Sequence, residues 1–273
     1  MIYKRRLDRA ATLAITFASL SASFSACAEK SNADLAKSLS NPVAALISVP
    51  FQYNYDQNIG PDDDGHRSTL NIQPVIPISI SEDWNMISRT ILPIIGQSDV
   101  FPGAGSQTGT GDTVQSVFFS PKEPTASGWI WGLGPVFLLP TGSDDELTAD
   151  KWGAGPTGVM LRQHGPWTYG GLFNHIVDFA GDDDRSDISS TFIQPFMSYT
   201  TPSAVTYTLN SESTFDWEND DSAVPINAII SKVIPIGGQL FSVGGGFRYW
   251  AESMDNGPEG LGVRLQLTAL FPK

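Results

Sequence analysis

From about residue 44 onward, apolar and polar residues alternate with a period of two. In Ile47-Ser48-Val49-Pro50-Phe51-Gln52-Tyr53-Asn54-Tyr55 the odd positions are all large and apolar, and three of the four even ones are polar. Tyr207, Leu209, Phe215 and Trp217 share one parity, and Thr206, Thr208, Asn210, Glu212, Thr214 and Asp216 share the other. Phe241, Val243, Phe247 and Tyr249 oppose Ser242, Gly244, Gly246, Arg248 and Trp250. Leu261, Val263, Leu265 and Leu267 oppose Gly262, Arg264, Gln266 and Thr268. Successive side chains of a strand point to opposite faces, so each segment predicts a strand with one apolar and one polar face. About twelve such segments are predicted, over 44–56, 67–80, 84–95, 113–120, 128–140, 153–162, 167–179, 188–200, 204–217, 224–236, 240–251 and 260–271. Most exceed the five or six residues usual in soluble sheets. They suit the ~9–11 residues that a tilted strand needs to cross a bilayer.

The connections alternate in length. Tight turns are predicted at Ser81–Asp83, around Pro121–Pro124, at His164–Pro166, Thr200–Ser203 and Gly237–Gly238. Between them fall mostly longer, polar loops at 56–66, 96–112, 141–152, 180–187, 217–222 and 252–259. Short turns at one end, long loops at the other and an even strand number form the plan of an outer-membrane barrel. The expected fold is therefore all-β: a single transmembrane antiparallel β-barrel of about twelve strands over 44–273, in the cell outer membrane. Its short turns would be periplasmic, and its long acidic loops extracellular. A soluble β-domain would also alternate, but its exposed face would need many Lys and Glu. The polar faces here carry Gly, Ser, Thr, Asn, Gln and isolated Arg instead. The seven tryptophans, at or near strand ends, fit interfacial girdles.

The first residues follow another pattern. Basic Lys4, Arg5, Arg6 and Arg9 precede an uncharged stretch from Ala10 to Phe24, and Ala26-Cys27-Ala28 supplies small residues. This predicts a secretory signal peptide over 1–28, followed by a periplasmic N-terminal segment over 29–43. Cleavage before Cys27, as in a lipoprotein, is the alternative. Removal of 1–28 also removes the chain's single cysteine.

Charge sharpens the picture. The chain has 273 residues, 16 of them basic and 29 acidic, for a net charge of −13. An acidic balance excludes the basic face that nucleic-acid binding requires. Without residues 1–28 the count is 12 basic against 28 acidic, a net of −16. The six long loops hold twenty of those acids against Lys151 and Arg185, so they carry −18 and the remainder +2. Asp62, Asp63, Asp64, Asp144, Asp145, Asp182, Asp183 and Asp184 form the predicted acidic extracellular rim. Neither aspartate triplet fits a twelve-residue calcium loop, and no metal or cofactor is expected. Solvated loops are the plain reading. Contact with lipopolysaccharide through shared divalent cations is the functional one.

Charges within strands point to the lumen. Arg89, Arg162, Asp178, Gln194, Glu212, Arg248, Arg264 and Gln266 are the candidate lumen-lining and selectivity residues. Paired ions that merely hold a filled lumen rigid are the structural alternative. His66, His164 and His175 lack metal-ligand spacing, and no nucleophile elbow occurs. No serine can be matched to His175, so no catalytic residues are expected.

Several blocks occur in an informative order. They are Arg89-Thr90-Ile91-Leu92-Pro93, Gly111-Asp112-Thr113-Val114-Gln115-Ser116, Trp131-Gly132-Leu133-Gly134-Pro135, Leu139-Pro140-Thr141-Gly142, Lys151-Trp152-Gly153-Ala154-Gly155-Pro156 and Gln194-Pro195-Phe196. Together they resemble the outer-membrane proteins grouped as "MetA-pathway of phenol degradation" transporters. The resemblance implies a transmembrane barrel and, in some relatives, uptake of aromatic or other hydrophobic compounds. The expected function is a channel for passive uptake of small, aromatic or hydrophobic solutes across the outer membrane. A structural or surface-interaction barrel with a plugged lumen is the alternative. The expected partners are membrane lipid, lipopolysaccharide and a small-molecule solute.

Overall fold

The computed structural model describes residues 31–272; the predicted signal peptide lies outside them. The chain forms one short helix, α1 (Asn32–Leu39), and a closed ring of twelve antiparallel strands. We label the strands β1 (Ile47–Ile59), β2 (Gly65–Ile72 and Val75–Ser79), β3 (Trp84–Ser98) and β4 (Ser106–Thr110 and Thr113–Pro121). Then follow β5 (Trp129–Leu139), β6 (Lys151–His164), β7 (Trp167–Gly181) and β8 (Ser189–Thr200). The last four are β9 (Val205–Ser211 and Ser213–Asp216), β10 (Asp221–Ile236), β11 (Gln239–Glu252) and β12 (Gly260–Phe271). Each strand pairs with the next, and β12 closes onto β1 from Ile47↔Phe271 to Tyr55↔Val263. Closure leaves no open edge, the condition for a sheet in lipid.

Three strands are interrupted, each opposite a proline. Gln73 N–H donates to the Pro50 carbonyl, Gly111 N–H to Pro93 and Glu212 N–H to Pro225, at 2.8, 3.0 and 3.4 Å. Proline has no N–H to return, so the ladder cannot be completed there and the strand kinks. The Gly237–Gly238 turn has φ of +59° and +85°, as a two-residue hairpin between Ile236 and Gln239 requires.

The faces are inverted relative to a soluble barrel. Phe247 is 65% exposed, Leu133 55% and Leu265 54%, whereas inward Asn227, Thr168 and Thr157 are at most 1% exposed. An apolar belt turned outward and a polar lining turned inward suit hydrocarbon outside and water or paired polar groups within. Aromatics collect at the short-turn end: Trp167 meets Tyr199 edge-on at 4.9 Å, and Trp84 meets Trp131 at 5.7 Å. Trp152 and Trp217 stand exposed at the long-loop end. Trp250 departs from the girdle expectation. It shares the inward parity of Arg248, and its indole N–H donates to Asp56 at 2.9 Å. Among the described residues no helix is long and apolar enough to cross a membrane, which says nothing of the strands.

The lumen is filled unevenly. Ile87, Phe118, Val159, Leu161 and Leu172, from β3 to β7, form a buried apolar cluster with Val43. Gly132 makes room for it: a Cβ there would lie 3.1 Å from the Val43 side chain. The residues before β1, expected only as a periplasmic lead-in, fold against the barrel's short-turn mouth. Helix α1 is capped by Ser31, whose hydroxyl accepts from Asp34 N–H while Asp34 accepts from Ser31 N–H, a capping box. Leu35 packs on Leu46 and Leu270, and Ala36 on Ala204 and Val233. Lys37 Nζ donates to the Gly165 carbonyl at 2.8 Å, and Gln163 donates to the Lys37 carbonyl at 2.9 Å.

Candidate functional site

The opposite half of the lumen holds a cavity of about 350 Å³. The α1 segment bounds it through Leu39, Asn41 and Ala44, and Arg89, Glu212 and Arg264 also line it. One wall is amide-rich, with Gln52, Asn71, Gln73 and Gln266. Another is apolar, with Ile91, Phe192 and Phe196. Five of the predicted lumen residues therefore meet in one place: Arg89, Gln194, Glu212, Arg264 and Gln266.

The kinks position two of the polar groups. Glu212 occupies the break in β9, and Gln73 the break between the two parts of β2. Arg264 reaches Glu212 with a bidentate pair, Nη1 to Oε1 at 2.9 Å and Nη2 to Oε2 at 2.7 Å. Its Nε donates to Asn54 at 2.7 Å. This planar, two-bonded geometry is the strong form of an arginine–carboxylate contact. Arg264 is 1% exposed, so its charge depends on that partner. Arg248 pairs with Asp56 at 3.3 Å and lies 4.2 Å over the Trp250 ring. Arg67, facing Asp56 across the β1–β2 register, donates to Gln97 at 2.8 Å. Arg89 donates to the Gln73 side-chain oxygen at 3.2 Å. Among the described residues, and apart from the inward Lys151–Asp178 pair at the long-loop end, four arginines thus share the interior with two carboxylates, Asp56 and Glu212.

One sequence expectation differs. Arg162 has the outward parity of Met160, while its neighbour Leu161 is buried inside. It is paired in register with Trp129 and Tyr169, whose rings meet edge-on at 6.3 Å. Arg162 thus belongs to the aromatic girdle at the short-turn end, where a long cationic side chain can reach polar surroundings. Asp178 does face inward, but at the long-loop end, away from the cavity. It accepts from Ile188 N–H at 2.8 Å and lies 3.6 Å from Lys151, which also holds Asp187 at 3.0 Å.

Asp62, Asp63, Asp64, Asp144, Asp145, Asp182, Asp183 and Asp184 are all exposed in the long loops. Arg185 ties two of these loops, donating to the Asp145 carbonyl and to Asp150. Asp112, read in the sequence as one more loop acid, is a bracket instead. It accepts from Gly142 N–H, Thr148 hydroxyl and Ala149 N–H at 3.0, 2.7 and 2.7 Å. Among the described residues no acid or histidine cluster could hold a metal ion. His175 contacts the Thr191 hydroxyl at 2.9 Å, and that hydroxyl also accepts from Trp217.

No family model matches the sequence, and no curated protein does. Among solved structures, the COG4313 outer membrane channel from Pseudomonas putida F1 matches 83% of this chain and 96% of its own, with a TM-score of 0.66 and 13% identity. The NanC porin matches 83% of this chain and all of its own at a TM-score of 0.49 and 9% identity. The Escherichia coli outer membrane phospholipase A matches 82% and 96% at a TM-score of 0.45 and 8% identity. The first of these likenesses concerns the fold: the chain is built as an outer-membrane β-barrel of the kind seen in that channel.

Proposed function

We propose that the protein is an outer-membrane channel for passive uptake of small solutes, aromatic or hydrophobic ones among them. The observation that carries this reading is the cavity itself. It lies inside an inside-out barrel and has an amide wall, an apolar wall and a charged boundary. Selective channels pair a constriction with a few placed polar groups, because a wide aqueous pore discriminates poorly. Phe192, Phe196 and Ile91 supply the surface on which an apolar body would rest. The resemblance of the ordered sequence blocks to the phenol-degradation transporters supports the same class of solute. In this reading the protein acts without catalysis, and its short turns and α1 face the periplasm.

Purified protein in planar bilayers should conduct ions in discrete steps. Liposomes containing it should swell in small aromatic solutes faster than in sugars of similar charge. Ion-tight bilayers with no change in solute entry would overturn the proposal. The plugged-barrel alternative draws on a specific observation: α1 packs across the short-turn mouth and the Val43 cluster fills the β3–β7 side of the lumen. It predicts that tight state, together with envelope fragility in cells lacking the protein. For the acidic rim we propose bridging to lipopolysaccharide by divalent cations. Chelation should then weaken the association of wild type more than that of a variant with Asp62–Asp64 and Asp182–Asp184 changed to Asn.

A further inference from the structure

The cavity's charge does not balance. Of its three charged lining groups, Arg264 and Glu212 satisfy each other at 2.7 and 2.9 Å. Arg89 is left over. Its one side-chain partner is the neutral Gln73 amide at 3.2 Å. Among the described residues no carboxylate lies within ion-pair distance of it; the pairs in the barrel are Arg248–Asp56, Arg264–Glu212, Lys151 with Asp178 and Asp187, and Arg185–Asp150. A guanidinium offers five N–H donors in a planar fork. Removing such a charge from bulk water without a counter-ion is costly, and a bidentate anion is the partner that fits best.

The rest of the cavity restricts the anion. Its net charge is that of one arginine, so a monoanion is matched and a dianion is not. Ile91 is two residues along the same strand face as Arg89, and Phe192 and Phe196 also line the space. An apolar body can therefore stay in contact with the wall while its charged end meets the fork. The volume, about 350 Å³, is at the lower end of the ~300–1,000 Å³ typical of small-molecule sites.

We propose that this cavity is a binding site for small amphipathic monocarboxylates, with the carboxylate on Arg89 and the apolar body against Ile91, Phe192 and Phe196. The proposal rests on the channel reading and deepens it by naming the solute class. Neutral aromatic solutes would pass with less retention, and cations would be disfavoured.

The test is single-channel recording in planar bilayers with benzoate, its neutral relative benzamide, and acetate, which has the charge without the body. Benzoate should interrupt the current in a concentration-dependent way. Benzamide and acetate should each require at least about tenfold higher concentration, the effect expected for the loss of one good contact. Arg89→Gln should abolish the difference between benzoate and benzamide, and Arg89→Lys should retain part of it. Arg162→Ala, on the outer wall, should behave as wild type. If Arg89→Gln fails to fold, calorimetric titration of detergent-purified wild type with benzoate and benzamide carries the same comparison. Equal affinities there would overturn the proposal. Open channels in which benzoate and benzamide act alike, or in which Arg89→Gln leaves the benzoate block intact, overturn the carboxylate site and leave the channel standing. Absence of any conductance, with no benzoate binding, removes both.

Discussion

The Arg264–Glu212 pair is the place where a single atom change should be felt most. Glu212→Gln keeps the shape of the side chain and removes its charge. Arg264 is 1% exposed and would then lie buried beside two neutral groups, Asn54 and the new amide. Breaking one side of a buried ion pair costs about 3–5 kcal/mol. The Glu212 side chain is 17% exposed toward the cavity, so water can partly replace it. The expected loss is therefore near the lower end, about 3 kcal/mol. Urea titration of the protein folded into lipid vesicles, followed by tryptophan fluorescence, measures it. A double-mutant cycle with Arg264→Met isolates the pair, and a coupling of about 1.5–3 kcal/mol is expected. The same variant raises the excess of inward arginines over carboxylates from two to three, so reversal potentials should shift toward anions. A loss below about 1 kcal/mol, with the two substitutions additive to within about 0.5 kcal/mol, would refute the reasoning.

Three further outcomes follow from the geometry. Gly246→Ala would press a methyl onto the Ala228 carbonyl and within 2.8 Å of Ile229 Cα, and should destabilise the β10–β11 pairing by about 1–3 kcal/mol in the same titration. Leu35→Asp places a carboxylate at a site 1% exposed, so α1 should leave the barrel mouth and single-channel conductance should rise while the barrel remains folded. Asp112→Ala leaves Gly142 N–H, Thr148 hydroxyl and Ala149 N–H without their acceptor, and limited proteolysis should then cut within 141–150 while wild type resists.

Strands were legible because lipid enforces alternation. The spans predicted at 167–179 and 240–251 differ from Trp167–Gly181 and Gln239–Glu252 by two residues at most at any end. Where a strand rises beyond the apolar belt, that constraint ends. Ser106–Thr110 carries no apolar residue and was read as loop, yet it pairs with β3 from Ile94 to Ser98. Parity also failed locally. In β6 the inward side chains Val159 and Leu161 are apolar, because they meet the Val43 cluster, so polarity alone put Arg162 on the wrong face. Helix α1 was missed because eight residues with only Leu35 and Ala36 buried give a weak periodic signal. The capping pattern Ser31-x-x-Asp34 was the available clue. Arg89, Glu212, Arg248 and Arg264 were legible as rare charges on otherwise uncharged faces. Gln73 fell on the polar face of the strand predicted over 67–80, but nothing in that pattern distinguishes it from Asn71 or marks the break it occupies.

The unequal count of arginines and carboxylates bears on whether the lumen can be dry. The apolar side, from Ile87 to Leu172, is packed without charge and needs no water. The other side cannot be closed in the same way. Arg264 and Arg248 have carboxylate partners, but Arg89 has an amide alone. In a fully plugged lumen its charge would stand on the order of several kcal/mol above its hydrated state. Glu212 attracts Arg89 only from beyond ion-pair distance, and its single negative charge is shared with Arg264, to which both of its oxygens are hydrogen-bonded. The cheaper arrangement is a lumen that keeps water, or an anion, against Arg89. The acidic loops do not alter this, because fields from exposed charges fade over about 8 Å at physiological salt. The half-filled lumen is thus a consequence of where the charges sit: apolar packing narrows the bore on one wall, and an unmatched guanidinium keeps the other wall wet.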